Sequence, residues 1–232
     1  VTVLSDRRRA LQAMGLGPVW VRRDAGDAGV VPVDRTTRIA ALGWDELRVA
    51  VAACEACGLC ASRTQTVFGV GIDRPACLVI GEAPGADEDA AGEPFVGSSG
   101  KLLDAMLAAI GFGRTRNVFI ANVLKCRPPG NRDPAPLEMA SCRPFLERQI
   151  ALLAPQMILV VGKIATLALL GGEGSMASLR GREHRVTIEG RDIPVVATYH
   201  PAYLLRSPEE KAKAWADLCL ARSIHDCLAI AH

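Results

Sequence analysis

A mainly parallel α/β sheet, with its ligand edge at the carboxyl ends of the strands, is the fold this sequence predicts. Three observations lead there. Short apolar runs of strand length alternate with segments of helical spacing along most of the chain. The connections between them are long enough to hold crossover helices, as parallel pairing requires. Three of the runs end in polar stretches marked by Gly or Pro, which in such sheets is where ligands bind.

The elements follow in order. Residues 1–40 read as an extension or linker, with a short basic helix over Leu4–Met14 and an aperiodic Gly15–Asp34. The main domain is expected over 41–232. Trp44–Ala56 carries Trp44, Leu47 and Val51 at helical spacing. Ala76–Ile80 is a short buried strand, Gly81–Ser99 a long loop and Gly100–Ile110 an amphipathic helix. Val118–Asn122 is a strand, Pro136–Leu153 a longer helix, Met157–Val161 a third strand and Lys163–Leu170 a helix. After a turn at Gly171–Ser175, Arg185–Ile188 and Ile193–Thr198 flank Glu189-Gly190-Arg191-Asp192 as a hairpin. Glu209–Leu228 closes the chain as a helix with Trp215, Leu218 and Cys219 expected inward.

The 232 residues are half hydrophobic, enough to bury a full core and unlike a disordered chain. The formal net charge of +2 does not by itself indicate a nucleic-acid partner. No apolar run is long enough to cross a bilayer, and Arg7, Arg8 and Arg9 precede no apolar signal segment, so a cytoplasmic protein is expected.

Eight cysteines in a reducing compartment point to metal binding or reduced core positions before disulfides. Cys77, Cys219 and Cys227 read as small buried hydrophobes. Cys54-x-x-Cys57 and the pair Cys126 and Cys142 have the look of thiolate ligands. A zinc ribbon would need two short C-x-x-C knuckles, and only one is present. An iron–sulfur cube tolerates widely separated ligands.

Three loops carry the candidate chemistry. The run Gly81–Gly97 (GEAPGADEDAAGEPFVG) sets Glu82, Asp87, Glu88 and Asp89 among glycines, with Phe95 as a lone aromatic. That ring suits stacking on a flat base, or serves as the loop's hydrophobic anchor. Asn122 ends a strand with an acceptor and two donors, which match a pyrimidine edge such as uracil's or cap a turn. His200, in Thr198-Tyr199-His200-Pro201, can donate to an oxygen that gains negative charge, or bond to backbone. Leu204, Leu205 and Arg206 pair apolar side chains with a cation, as in wedges that distort DNA, although both leucines could equally pack in a core.

These motifs, in this order, resemble the family 4 uracil-DNA glycosylases, the iron–sulfur type of bacteria and archaea. The resemblance spans about Cys54 to Leu218. It rests on Cys54-x-x-Cys57 with Arg63-Thr64 and Val67-Phe68-Gly69, on Gly81–Asp89 with Glu93-Pro94-Phe95-Val96-Gly97, on Asn122–Pro129 with Cys142, and on His200–Arg206. It implies a three-layer α/β/α fold around a central, mainly parallel four-stranded sheet. It implies hydrolysis of the N-glycosidic bond of a flipped-out deoxyuridine in DNA, single- or double-stranded, by a monomer. It implies a 4Fe–4S cluster on Cys54, Cys57, Cys126 and Cys142, with Cys60 a spare. By the same resemblance Phe95 stacks on uracil, Asn122 reads the base, His200 donates to uracil O2, Glu82 lies near the attacking water and Glu88 crowds C5. Leu204, Leu205 and Arg206 would contact DNA, and Lys125, Arg127 and Arg132 would reach phosphates. The chain departs from the pattern at Ala83, where most members have Gly. The added methyl is expected beside the sugar and water, where it bears on turnover. Arg127–Pro134 holds neither His nor a basic insertion, unlike the branch that traps uracil-DNA covalently.

Overall fold

The computed structural model describes residues 13–14 and 34–230. The basic helix expected over Leu4–Met14 and the linker expected over Gly15–Asp34 lie almost wholly outside them. Contacts divide the chain into Val1–Arg35 and Thr36–His232, and the second unit carries the fold described below.

Its elements are α1 (Arg35–Ala40), α2 (Trp44–Ala52), β1 (Val70–Gly71), β2 (Cys77–Gly81), α3 (Ala86–Ala91), α4 (Ser98–Ala109), β3 (Val118–Asn122), α5 (Pro136–Leu153), β4 (Met157–Val161), α6 (Lys163–Leu170), α7 (Met176–Leu179), β5 (Glu183–Ile188), β6 (Arg191–Thr198), α8 (Pro201–Arg206) and α9 (Lys211–Ile230). The sheet order is β1-β3-β2-β4-β6-β5. The expected four parallel strands are its centre, β3-β2-β4-β6. The sheet has six strands among the described residues, not four, because β1 and β5 pair antiparallel at its two edges.

Strands β2, β3 and β4 are buried at every position, as expected of parallel strands covered on both faces. Alternate residues feed two cores. Leu78, Ile80, Phe119, Ile158 and Val160 face one, with Leu47 and Val51 of α2 and Phe145, Leu146 and Ile150 of α5. Val79, Ile120, Leu159 and Val161 face the other, with Leu103 and Leu107 of α4 and Leu218 of α9. This is the three-layer α/β/α arrangement.

Three expectations change. The stretch Gly81–Ser99 is not all loop, since α3 forms within it. Its glycine-rich flanks hide a six-residue helix whose start is set by Gly85 N–H donating to Glu88 Oε2 at 3.0 Å. Helix α9 buries Leu218 as expected but turns Trp215 and Cys219 outward. Trp215 is 49% exposed, and Cys219 and Cys227 are also exposed, while Ala214, Asp217, Leu218 and Ala221 are buried. Small alanines let the helix approach the sheet closely, and the largest side chain is left outside. Lastly, the β5–β6 hairpin turns on Glu189 and Gly190 alone, both at positive φ (46° and 76°), the two-residue geometry that matches strand twist.

Candidate active site

The carboxyl ends of the parallel strands bring three polar groups together. Gly81 at the end of β2 pairs in register with Asn122 at the end of β3. The chain then continues to Glu82, while Val123 N–H and Leu124 N–H donate to the Gly81 and Glu82 carbonyls at 2.9 and 3.0 Å. His200 follows β6 and caps α8. Between these ends lies a pocket of about 480 Å³, lined by Glu82, Ala83, Glu88, Phe95, Asn122, His200 and Arg206 of the expected residues.

Each group is held in a definite state. Asn122 is 2% exposed and its Oδ1 has no hydrogen-bond partner. A buried amide oxygen left unpaired is costly unless a ligand completes it. The Asn122 backbone is pinned by the buried Lys125, whose Nζ donates to its carbonyl at 2.7 Å. Burial lowers the His200 pKa to about 4, with the Arg206 charge acting in the same direction, so the ring is neutral at pH 7. Its Nδ1 accepts from Ala202 N–H at 3.1 Å, which places the proton on Nε2 as a donor. Burial, and after it the charge of Asp133, pushes the Glu82 carboxyl up to about 7. Phe95 stacks near His200 with ring centroids 5.6 Å apart and planes at 29°.

Phe95 occupies a left-handed backbone conformation, φ 56°, which a bulky residue adopts at a cost of order 1–3 kcal/mol. Its position also depends on Gly81. A Cβ there would strike Asn122 Oδ1 and come within 2.6 Å of the Phe95 ring.

Several expected residues do something other than foreseen. Both oxygens of Glu88 are engaged by backbone: Oε2 accepts from Gly85 N–H, and Oε1 from Val96 and Gly97 N–H at 3.0 and 3.4 Å. Glu88 thus shapes the pocket wall as well as lining it. Asp89, one of the acids of the Gly81–Gly97 run, is buried and accepts the Thr64 N–H on both oxygens at 3.0 Å. Leu204 is 1% exposed in the second core, out of reach of DNA, whereas Leu205 is 44% exposed. Lys125 is equally buried, with its amine turned to Asn122, so it cannot meet a phosphate. Arg132 lies at the pocket but is paired with Glu138 at 2.6 Å. Tyr203, which sequence reasoning passed over, lines the pocket and is 36% exposed. Its position one residue before the buried Leu204, on a helix begun by Pro201, was the available signal.

The two thiol pairs come together at the first core. Cys126 and Cys142 belong to the first core, and Cys54 and Cys57 pack against it. Cys126 lies within electrostatic range of Cys57 and Cys54, and Cys142 within range of Cys126 and Cys54. Burial raises both thiol pKa values, that of Cys142 to about 11, and nearby donors and cations oppose the rise. Arg63 donates to Cys126 Sγ at 3.2 Å and to the Cys54 carbonyl at 2.7 Å, and the Lys125 N–H donates to Cys142 Sγ at 3.4 Å. Among the described residues no three Cys, His, Asp or Glu side chains converge as a single metal ion would need. A cluster takes one thiolate per iron around a cage, and an all-Cys set with one guanidinium and one backbone donor to sulfur fits it. Cys60 is half-buried and also within range of Arg63.

Comparisons with known proteins bear on the family of the chain. The family model of the uracil-DNA glycosylase superfamily matches residues 68–219. A type-4 uracil-DNA glycosylase of Archaeoglobus fulgidus is 39% identical over 177 residues, 75% of this chain and 88% of the relative. One from Thermotoga maritima is 41% identical over 155 residues, 66% of this chain and 79% of the relative. A type-5 uracil-DNA glycosylase of Mycobacterium bovis is 31% identical over 156 residues, 59% of this chain and 57% of the relative. With the greater identity and coverage on the type-4 side, the chain belongs to the type-4 uracil-DNA glycosylases.

Proposed function

We infer that this protein excises uracil from DNA by hydrolysis of the N-glycosidic bond, and that the pocket at the strand ends receives the flipped-out base. One observation carries the reading: the buried, unpartnered Oδ1 of Asn122, set among the Phe95 ring, a neutral His200 and Glu82. Uracil N3–H would donate to that oxygen and the Asn122 amide would donate to O4. Cytosine offers no N3–H and, with the amide in this orientation, would leave the acceptor unpaired. Phe95 stacks on the base, and His200 Nε2–H donates to O2.

Extrusion from the stack costs a few kcal/mol. Leu205, Tyr203 and Arg206 on α8 would fill or brace the gap, a role supported by the exposure of Leu205 and the place of the other two at the pocket. As the C1′–N1 bond breaks, its electron pair goes to uracil, with charge on N1 and O2, and the sugar becomes cationic. His200 stabilises the oxygen without giving up its proton fully. Glu82 as carboxylate faces the cation, accepts a proton from the attacking water and lets the water oxygen bond to C1′. Ala83 beside it lines the same wall.

Cys54, Cys57, Cys126 and Cys142 would hold a 4Fe–4S cluster. When bound, it would cross-link the segment after α2 to the proline-rich chain after β3, since hydrolysis moves no electron. Action on single- and double-stranded DNA, a monomeric state and a cytoplasmic location belong to the same reading. Among the described residues no helix is long and apolar enough to cross a membrane.

The test is uracil release from single- and double-stranded oligonucleotides, with thymine and hypoxanthine mispairs in parallel. Release of uracil alone is expected; equal release of hypoxanthine would move the chain toward type-5 behaviour. Iron content and visible absorbance of Cys142→Ala test the ligand set, and undiminished iron would remove Cys142 from it.

A further inference from the structure

The peptide unit that follows Phe95 is gripped at both ends. Its N–H, that of Val96, donates to Glu88 Oε1 at 3.0 Å. Its carbonyl, that of Phe95, accepts from Arg114 Nη2 at 2.6 Å. The same guanidinium gives Nη1 to the Pro94 carbonyl at 2.8 Å and Nε to Asp104 Oδ1 at 2.6 Å. All three of its nitrogens are therefore engaged, and the fork is fixed in orientation.

Arg114 comes from the turn between α4 and β3, 19 residues from Phe95 in sequence. It reaches past Asp104 of α4, and its side chain is only 19% exposed. The helix leaves room for the gripped carbonyl at Gly100, where a Cβ would collide with Phe95 O. The residue so held is the aromatic at φ 56°, a conformation the backbone would not keep unaided.

We propose that Arg114 is a positioning residue for base recognition: with Glu88 it clamps the Phe95–Val96 peptide and so aims the Phe95 ring into the pocket. Arg114 touches neither base nor sugar in this role. The inference rests on the reading that Phe95 stacks on uracil.

The experiment labels the full-length protein, cluster intact, with 4-fluorophenylalanine. The chain has five phenylalanines, and the Phe95 resonance is assigned by its loss in Phe95→Leu. Free uracil is titrated into wild type, Arg114→Gln and Arg114→Lys, and single-turnover excision is measured on the same samples. In Arg114→Gln the Phe95 resonance should shift or broaden while the other resonances hold. Uracil affinity and excision should fall about tenfold, toward the low end of what base stacking is worth. Arg114→Lys, which can keep the Asp104 pair but not the two-carbonyl fork, should fall between. A wild-type Phe95 resonance with wild-type affinity in the variants overturns the proposal, as does a lowered melting temperature with no change at the ring. If Arg114→Gln does not accumulate, Arg114→Lys is judged by the same criterion. A wild-type Phe95 resonance that ignores uracil removes the stacking role and this inference with it. A wild type that responds beside variants that respond equally removes Arg114 alone.

Discussion

Two buried polar sites flank the same sheet and are finished in opposite ways. Beside β6, the Asp217 side chain is fully buried and saturated. It accepts from Arg180 Nε and Nη2, from Thr198 Oγ1 and from Gly181 N–H, all at 2.8–3.0 Å. At the end of β3, Asn122 is as deeply buried and its oxygen accepts nothing. The first site has no vacancy and so ties α9 and the segment after α7 to the strand. The second is left open toward a cavity, where the proposed ligand would supply the missing partner. Between these two, completeness of hydrogen bonding is the difference, and the cavity beside Asn122 adds to it, since Gln149 Oε1 is also buried and unpaired but lines no part of that pocket.

This contrast can be broken by mutation. Asp217→Ala should lose about 3 kcal/mol of stability or more, because it strands Arg180 and Thr198, while excision per folded molecule stays near wild type. Chemical denaturation with active-site titration measures both, and a stable variant with slow chemistry would merge the two sites. Asn122→Ala should do the reverse. Excision should drop about 10²–10³-fold, with an unchanged or slightly raised melting temperature, since an unpaired buried oxygen disappears. Phe95→Ala should weaken uracil binding by about 1–3 kcal/mol, read by titration with the free base.

The smallest effect sharpens the comparison by pH. Glu82 titrates near 7 in the fold and near 4.5 when unfolded. Excision should rise about tenfold from pH 6 to pH 8 as its proton leaves, His200 being neutral throughout this range. Stability should move the other way. Between 4.5 and about 7 the folded chain holds a proton that the unfolded chain has released, so raising pH through that window weakens the fold. Glu82→Gln should abolish both trends. An unaltered pH–rate profile in that variant would take Glu82 out of the proton transfer.

Much of this was legible in the sequence, and the failures have physical causes. β3, α5, β4 and α6 fall where apolar runs and Pro or Gly boundaries put them, because fully buried strands and capped helices write their limits locally. The polar strand ends were legible for the same reason. On helix α9 the sequence places Leu218 correctly but not Trp215 and Cys219, because the rest of the inward stripe is two alanines and one saturated Asp. Lys125 reads as a phosphate contact by charge alone, since nothing in a linear sequence shows that its amine folds back on the Asn122 carbonyl three residues earlier. Arg114 was invisible because its partners are carbonyls, which carry no sequence signature, on a segment 19 and 20 residues away.

Gly81 has a consequence for how this pocket can vary. The position contributes no side-chain atom to chemistry, yet even a methyl group there would displace both the carboxamide and the aromatic ring. In the proposed reading, selectivity toward the base would thus be guarded by an empty space. Remodelling of this enzyme toward larger or differently shaped nucleobases would proceed through other positions, because any side chain at Gly81 must push Asn122 and Phe95 aside.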